Sequence, residues 1–194
     1  ILPKMSQEDA IESAMIASIS RQGFKANHYG VRPFRSPHHS ASSVALVGGG
    51  SNPLPGEISL AHHGILFLDE FPEFSRQVLE VLREPLESGK IHISRAHSQV
   101  EYPARFQLIA AMNPCPCGFY GDREQECRCS NYMIERYRGK ISGPLLDRID
   151  LHVEVPRITT EELQTLKGGE SSQAIRQRVD EARARQLSRR GKAN

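Results

Sequence analysis

The stretch Ile65-Leu66-Phe67-Leu68-Asp69-Glu70 decides the fold of this 194-residue chain. Four large apolar residues in a row predict a strand that is buried on both faces, which is typical of a parallel sheet covered by helices. Asp69 and Glu70 would leave the strand at its carboxyl end, the edge where open α/β sheets bind their ligands. An ordinary core strand with two acids at its exit is the alternative.

The patterns on either side of this strand alternate between helix and strand. Ser6 and Ser75 each stand where a side chain can cap the start of a helix. Residues 105–112 (RFQLIAAM) predict a second buried strand, which ends at Asn113. Pro85 is expected to perturb the last turn of the helix after Ser75. Buried strands separated by helices predict an α/β sheet.

Three further patterns extend this prediction. Residues 91–102 alternate apolar and polar side chains around a turn near 95–98, which predicts a hairpin. Residues 151–155 (LHVEV) alternate in the same way and predict an edge strand. Residues 171–190 predict a long helix, with an inward face expected to carry Ile175, Val179, Ala182 and Leu187.

Composition excludes some classes of protein. The chain is 38% hydrophobic and 25% charged with a net charge of +2, and no apolar run is long enough for a membrane span. It lacks a secretory signal, so we expect a cytoplasmic protein with reduced cysteines. The chain begins with Ile1 rather than Met, so we expect that it was cut from a longer protein.

A basic tail stands out within this balanced charge. A solvated helix face is the simpler interpretation of that tail, and a strip that contacts phosphates is the alternative. Its cations are Arg176, Arg178, Arg183, Arg185, Arg189, Arg190 and Lys192.

Two acids and an amide point to nucleotide chemistry. In P-loop ATPases a hydrophobic strand delivers an acid that holds Mg²⁺, which would be Asp69, and a second acid can polarise the attacking water, which would be Glu70. Asn113, at the end of the next buried strand, could orient that water or the γ-phosphate. A turn-initiating Asn before Pro114 is the alternative.

An arginine follows in the segment 143–150 (GPLLDRID). Arg148 could reach the γ-phosphate on a neighbouring subunit, because the guanidinium is planar and always charged. The alternative is a surface ion pair of Arg148 with Asp147 or Asp150.

Four cysteines form a C-x-C, nine-residue, C-x-C pattern: Cys115, Cys117, Cys127 and Cys129. Structural zinc sites usually use C-x2-C pairs, so a Zn²⁺ site and free thiols both stay open. The adjacent His62 and His63 would point in opposite directions on an extended chain, which makes them poor joint ligands. His38 and His39, beside Arg32 and Arg35, could contact a nucleic-acid backbone.

The strings ILFLDE, AAMNPCPCG and GPLLDRIDLHVEVP, in this order and spacing, resemble the magnesium-chelatase-like AAA+ ATPases of the ComM (YifB-like) competence protein branch. The resemblance implies a partial AAA+ P-loop NTPase core, a three-layer αβα α/β fold with a mostly parallel sheet. Residues 44–56 would be the helix-2 insert and 91–102 the pre-sensor hairpin. Residues 1–157 would form the core downstream of Walker A, and 158–194 a linker and the start of a helical lid.

The resemblance also implies roles for individual residues. Asp69 and Glu70 match the Walker B pair, Asn113 matches sensor 1, and Arg148 matches the trans-acting arginine finger. ATP and Mg²⁺ would be the cofactors, a homo-hexameric ring the assembly, and DNA the partner in branch migration during recombination and transformation. The alternatives are a magnesium-chelatase motor subunit for tetrapyrrole metal insertion and a non-catalytic, zinc-stabilised interaction domain.

One departure from the family is decisive for activity. No G-x-x-x-x-G-K-[ST] loop occurs in the sequence, and that loop's backbone amides and lysine bind most of the triphosphate. We therefore predict that this chain alone has little or no ATPase activity. The strand that accompanies the loop would also be missing, which predicts exposed sheet edges.

Overall fold

The structure is a computed structural model and describes residues 1–95, 98–122, 124–158, 164 and 168–190. The helices are α1 (Gln7–Ser18), α2 (Ser43–Val47), α3 (Glu57–Leu60), α4 (Arg76–Glu80), α5 (Arg83–Ser88), α6 (Asn131–Arg138), α7 (Gly143–Leu146) and α8 (Ser172–Arg190). The strands are β1 (Phe34–Arg35), β2 (Gly48–Gly49), β3 (Leu54–Pro55), β4 (Ile65–Leu68), β5 (Lys90–Arg95), β6 (Ser98–Pro103) and β7 (Gln107–Ala110).

A parallel three-stranded sheet in the order β1-β4-β7 forms the centre of the fold. On β4, Leu66 and Leu68 are fully buried, and burying each contributes about 1.5–3 kcal/mol relative to exposure. The prediction of a buried strand at this position is confirmed. The sheet confirms the α/β class and is consistent with part of a P-loop NTPase-like core.

The second predicted strand differs from expectation. β7 forms as a parallel strand, but Gln107 and Ile109 on it are exposed, so the prediction of a buried strand is wrong. The physical reason is its position at the edge of the sheet, where β4 is its neighbour on one side and no described residue pairs with the other.

The core lies around β4. Its fully buried side chains come from helices, from the turn after β4 and from the hairpin, and they include Leu46, Ile58, Leu66, Leu68, Phe71, Leu79, Leu82, Ile91 and Leu145. The hairpin β5–β6 is confirmed with the register Ile91↔Tyr102, and its predicted turn at 96–97 lies outside the described residues. Tyr102 Oη donates to Pro53 O at 2.7 Å and ties the hairpin to the loop at 48–56.

The helix predicted after Ser75 is split into α4 and α5. Ser75 Oγ accepts a hydrogen bond from Val78 N–H at 3.3 Å, so the predicted cap is confirmed. Pro85 lies inside α5 and has no N–H to donate to the preceding turn. Gly89, at φ 69°, then ends α5 in the left-handed region.

Two predictions near the carboxyl end are wrong. Residues 151–155 form no strand, and Leu151, Val153 and Val155 are 80–83% exposed, because no described strand lies beside them. The helix α8 forms, but its predicted inward face is not buried. Leu187 is 45% exposed, and none of the described side chains of α8 is buried.

The arginines of the basic tail lie on this helix, where Arg176, Arg178, Arg185 and Arg189 are exposed and Arg183 is half-buried. Arg178 pairs with Glu170 at 2.7 Å, and Lys192 lies outside the described residues, as does most of the linker predicted after residue 158. Among the described helices, none is both long and apolar enough to cross a lipid bilayer.

Candidate functional site

The acidic pair lies in a tight turn at the carboxyl end of β4. Asp69 Oδ1 accepts a hydrogen bond from Glu70 N–H at 2.8 Å, and both residues are exposed. Glu70 adopts φ 52° and ψ 44°, a left-handed conformation that costs a non-glycine residue about 1–3 kcal/mol. The next residues, Phe71 and Pro72, are buried and hold the turn in place.

Asn113 leaves the sheet at the same edge as the acids. The parallel register pairs Leu68 with Ala110, and Ala111 N–H donates to Leu68 O at 2.9 Å. Phe71 N–H then donates to Ala111 O at 2.9 Å, which links the turn after β4 to the chain after β7. The structure therefore places Asp69, Glu70 and Asn113 beyond the carboxyl ends of adjacent strands.

Tyr137 lies under this edge and was not singled out from the sequence. It is buried on α6, and burial raises the pKa of its phenol, as do the carboxylates of Glu73 and Glu70, while a hydrogen bond from the Asn113 backbone lowers it. The available sequence signal was the pair Ile134 and Tyr137 on one face of a polar helix.

A histidine contacts one carboxylate oxygen of Glu70. His39 Nδ1 lies 2.8 Å from Glu70 Oε2, and the His39 ring packs against His38, with 4.0 Å between ring centroids. The two arginines close to these histidines in sequence have other partners. Arg35 forms a two-point ion pair with Glu57, and Arg32 donates to the backbone oxygens of Pro3 and His63.

Arg148 lies apart from the acids and the amide. Its guanidinium pairs with Glu87 of α5 and donates to Pro144 O, and its Nε is buried with no hydrogen-bond partner among the described residues. The acid it contacts is therefore Glu87, whereas Asp147 or Asp150 was the partner considered from the sequence. The structure does not bring Arg148 into contact with Asp69, Glu70 or Asn113.

The four cysteine sulfurs converge. Cys115 Sγ lies 3.4 Å from Cys117 Sγ and 3.7 Å from Cys127 Sγ, and Cys117 and Cys127 are 3.6 Å apart. Including Cys129, all four ligand atoms lie within 4.8 Å of one another. A tetrahedral site with bonds of about 2.3 Å has sulfurs about 3.8 Å apart, so this group fits one metal ion.

The thiols differ in acidity because their surroundings differ. Backbone N–H groups of Phe119 and Arg128 lower the pKa of Cys117 to about 6. Burial, followed by the neighbouring sulfurs, raises the pKa of Cys129 to about 12. Negative charge on neighbouring thiolates adds to this, because like charges repel and oppose ionisation of all four thiols. A bound cation would remove that repulsion.

A second group joins Glu12, His62 and His63, and here the two rings do not point apart as they would on an extended chain. The residues are in a turn, with His63 at φ 58°, so the two rings lie together with centroids 3.8 Å apart. Both Nε2 atoms approach Glu12 Oε2, at 3.0 and 2.7 Å.

This second group is a hydrogen-bonded clamp rather than a metal site. His62 Nδ1 accepts from Arg105 N–H at 2.9 Å, so the proton of the neutral ring is on Nε2, which donates to Glu12. That nitrogen has no lone pair for a metal. Burial lowers the pKa of His62, and hydrogen bonds from His62 and His63 lower the pKa of Glu12.

An acidic pair and an amide at the carboxyl edge of a parallel sheet define this protein as an α/β protein with part of a P-loop NTPase-like core. The family model described as "Magnesium chelatase, subunit ChlI" matches residues 1–163, and the chain belongs to that family.

The chain is 52% identical to YifB of Escherichia coli (strain K12) over 195 residues, which cover 100% of this chain and 38% of that protein. It is 51% identical to "Competence protein ComM" of Haemophilus influenzae, with the same coverage. Similarity to "Magnesium-chelatase subunit ChlI" of Pyropia yezoensis is 27% over 110 residues, 57% of this chain and 25% of that protein. The chain thus spans 38% of the length of the first two relatives.

Proposed function

We propose that this chain carries the hydrolysis half of an ATPase site. Asp69 would hold Mg²⁺, Glu70 would orient and polarise the attacking water, and Asn113 would contact the γ-phosphate or that water. The observation that carries this proposal is the position of all three beyond the carboxyl ends of the adjacent strands β4 and β7.

The donor set fits a magnesium ion. Asp69 uses one oxygen to accept Glu70 N–H, and the exposed carboxylate keeps further lone pairs for a hard cation. These residues do not account for binding of the triphosphate, because the sequence has no phosphate-binding loop. ATP would therefore require residues of a longer chain, which agrees with relatives that are much longer than this sequence.

The experiment compares this chain with a chain extended at its amino end by the residues that such relatives have there. We expect the extended chain to hydrolyse ATP and this chain not to do so. In the extended chain Glu70→Gln should bind ATP and lose turnover by about 10²–10⁴-fold, because a positioned acid or base contributes that much. Unchanged turnover in Glu70→Gln, or turnover by this chain alone, would contradict the proposal.

Arg148 is proposed to act on the nucleotide of a neighbouring subunit in a ring. Its support is chemical, because a guanidinium stabilises charge that develops on the γ-phosphate. A mixture of Arg148→Ala and Glu70→Gln subunits tests action in trans, since some sites in mixed rings would have Glu70 from one variant and Arg148 from the other. Each variant alone should be inactive, and mixing should restore part of the turnover. If mixing restores nothing, the role in trans is wrong.

The motor is proposed to act on DNA, in a cytoplasmic homo-hexamer that drives branch migration. The relative named "Competence protein ComM" matches the whole chain at 51%, whereas the magnesium-chelatase subunit matches 57% of it at 27%. The second candidate is therefore a chelatase motor. ATP turnover of the extended chain with and without branched DNA separates the two, because a chelatase motor would instead respond to porphyrin.

The metal at the four thiols is proposed to be a structural Zn²⁺. Distances of 3.4–3.7 Å among three of the four sulfurs favour a thiolate site. We expect one zinc per chain by elemental analysis, lost in Cys117→Ser, and the metal-free chain should expose four thiols to a thiol reagent. A chain purified without metal that does not take up added zinc would contradict this. If zinc binds and no nucleotide site forms in the extended chain, the zinc-stabilised interaction domain is the better description.

A further inference from the structure

The cysteine loop, residues 113–130, is closed at both ends. It leaves the sheet at Asn113 and enters α6 directly, since Ser130 Oγ caps that helix by accepting Met133 N–H at 3.3 Å. The far end of α6 returns to the start of the loop, where Arg138 Nε donates to Pro114 O at 3.1 Å.

Nothing apolar holds the described part of this loop together from within. Of its described residues, Cys115 is the one that is buried, and Tyr120, the largest aromatic side chain there, is 47% exposed. The sulfur cluster therefore takes the place of a core in this segment. A metal would give the loop its fixed shape.

Asn113 is anchored by the sheet on one side and by this cluster on the other. Two residues before it, Ala111 is bound in both directions, N–H to Leu68 O and O to Phe71 N–H, each at 2.9 Å. Two residues after it comes Cys115, which is fully buried among the sulfurs. The residue between is Pro114, whose ring fixes φ, so little freedom is left between the cluster and Asn113.

We propose that a zinc ion at the four cysteines is a positioning element for Asn113, so that metal occupancy sets the place of this amide beside Asp69 and Glu70. This inference rests on the proposed zinc site. In this proposal zinc contacts no reacting atom. The metal acts on Asn113 through the backbone between Cys115 and Asn113. Without zinc the sheet still anchors Ala111 and α6 still holds Pro114 O through Arg138, but the chain loses the hold that the metal has on Cys115.

The test follows the side-chain amide signal of Asn113 by ¹⁵N NMR in this chain, assigned by its loss in Asn113→Asp. Removal of zinc with a chelator should shift or broaden that signal, and zinc added back should restore it. The amide signal of Asn27, which lies in the short helix Ala26–His28 far along the chain, is the internal control and should not change. A chain that releases its zinc while the Asn113 signal stays unchanged would overturn the inference.

A second variant avoids dependence on cysteine substitutions, which can unfold the loop. Arg138→Ala keeps all four thiols and removes the bond to Pro114 O, so zinc should stay bound while the Asn113 signal shifts part of the way. Arg136→Ala is the matched control, because Arg136 is exposed on the same helix and its side chain forms no hydrogen bond or ion pair with the described residues. Chelation should then shift the Asn113 signal in both variants, and a signal that chelation moves in neither would count against the inference.

Turnover in the full-length protein separates this inference from the ATPase proposal. Zinc removal should lower kcat about tenfold with the KM for ATP unchanged, as is common when a group that orients another is lost. A shifted Asn113 signal with unchanged kcat would uphold the positioning and refute the role of Asn113 in hydrolysis. If no zinc binds at all, the zinc site itself is wrong.

Discussion

At the scale of single residues, β4 begins where two backbone segments come very close. A Cβ on Gly64 would lie 2.0 Å from the carbonyl oxygen of Pro33, far inside van der Waals contact. The same oxygen accepts Ile65 N–H at 2.8 Å, the bond that starts the pairing of β1 with β4. Gly64 is therefore needed for the close approach that sets the sheet register.

We predict that Gly64→Ala lowers the free energy of unfolding by about 1–3 kcal/mol, because backbone rather than a flexible side chain would have to move. Urea unfolding followed by circular dichroism measures the change. Gly169→Ala is the control, since a Cβ there meets nothing within 4 Å, and it should be neutral or stabilising by up to about 1 kcal/mol. Similar losses in both variants would show that the contact is not the cause.

The clamp of Glu12, His62 and His63 makes stability depend on pH. Burial holds the pKa of His62 below its ordinary 6.5, so on acidification the unfolded chain takes up this proton first. The pKa of Glu12 lies below its ordinary 4.5, so its contribution is present above that value and is lost as pH falls through the folded pKa. Both groups therefore weaken the fold as pH falls.

We expect the free energy of unfolding to decline from pH 7 to pH 5, and the decline to be smaller in His62→Asn. Chemical unfolding at a series of pH values provides the measurement. His28→Asn is the matched control, because His28 is exposed and should leave the slope unchanged. A wild-type stability that does not vary over this range would rule out the clamp as a pH-dependent element.

At the scale of elements, two helices with good apolar spacing have very different energetic roles. α4 places Val78 and Leu79 in the core at 1% exposure, because both belong to the same buried cluster as Leu66 of β4. The helix α8 has a similar spacing of Ile175 and Val179, yet both are only half-buried and the structure gives them no place in the core.

We predict that Leu79→Ala costs about 2–5 kcal/mol of stability, while Ile175→Ala costs less than about 0.5 kcal/mol. The physical reason is that truncating Leu79 leaves a cavity in the core, whereas the space left by Ile175 is open to water. Thermal and urea unfolding of both variants would provide the comparison. A large loss in Ile175→Ala would mean that α8 packs against the core in solution.

At the scale of the whole molecule, two features leave apolar surface uncovered. The outer edge of β7 pairs with no described strand, and the segment 151–155 has a strand-like sequence but forms no strand. β7 exposes Ile109, and the segment 151–155 exposes Leu151, Val153 and Val155, although its alternation suits a strand. An unpaired edge and exposed apolar side chains both favour association with another chain.

We therefore expect this chain to self-associate at micromolar concentrations, as seen by sedimentation velocity. Replacing Leu151, Val153 and Val155 by Ser should reduce the association without changing the circular dichroism spectrum. Val44→Ser is the control, because Val44 is exposed by 53% outside this region. A chain that is monomeric at all concentrations would contradict the prediction.

Local sequence patterns were enough to predict the elements that are stabilised mainly by their own residues. The apolar run at 65–68, the serine caps and the hairpin at 90–103 were predicted correctly. Burial on both faces, capping and alternation can each be recognised from residues that are close together in the sequence. The site followed from the same source. Parallel strands must end at one edge, so Asp69, Glu70 and Asn113 had to come together once both strands formed.

The sequence by itself determined the acidic turn, its neighbouring amide and the family, since these depend on short strings with fixed spacing. Tertiary structure alone decided that 151–155 forms no strand, that α8 stays largely exposed and that the rings of His62 and His63 lie together. The reason is that a strand, a buried face and a turn each need a partner from elsewhere in the molecule. The spacing of apolar residues along the chain shows which side chains a segment could bury. Whether those side chains are buried depends on how the other segments are arranged around them.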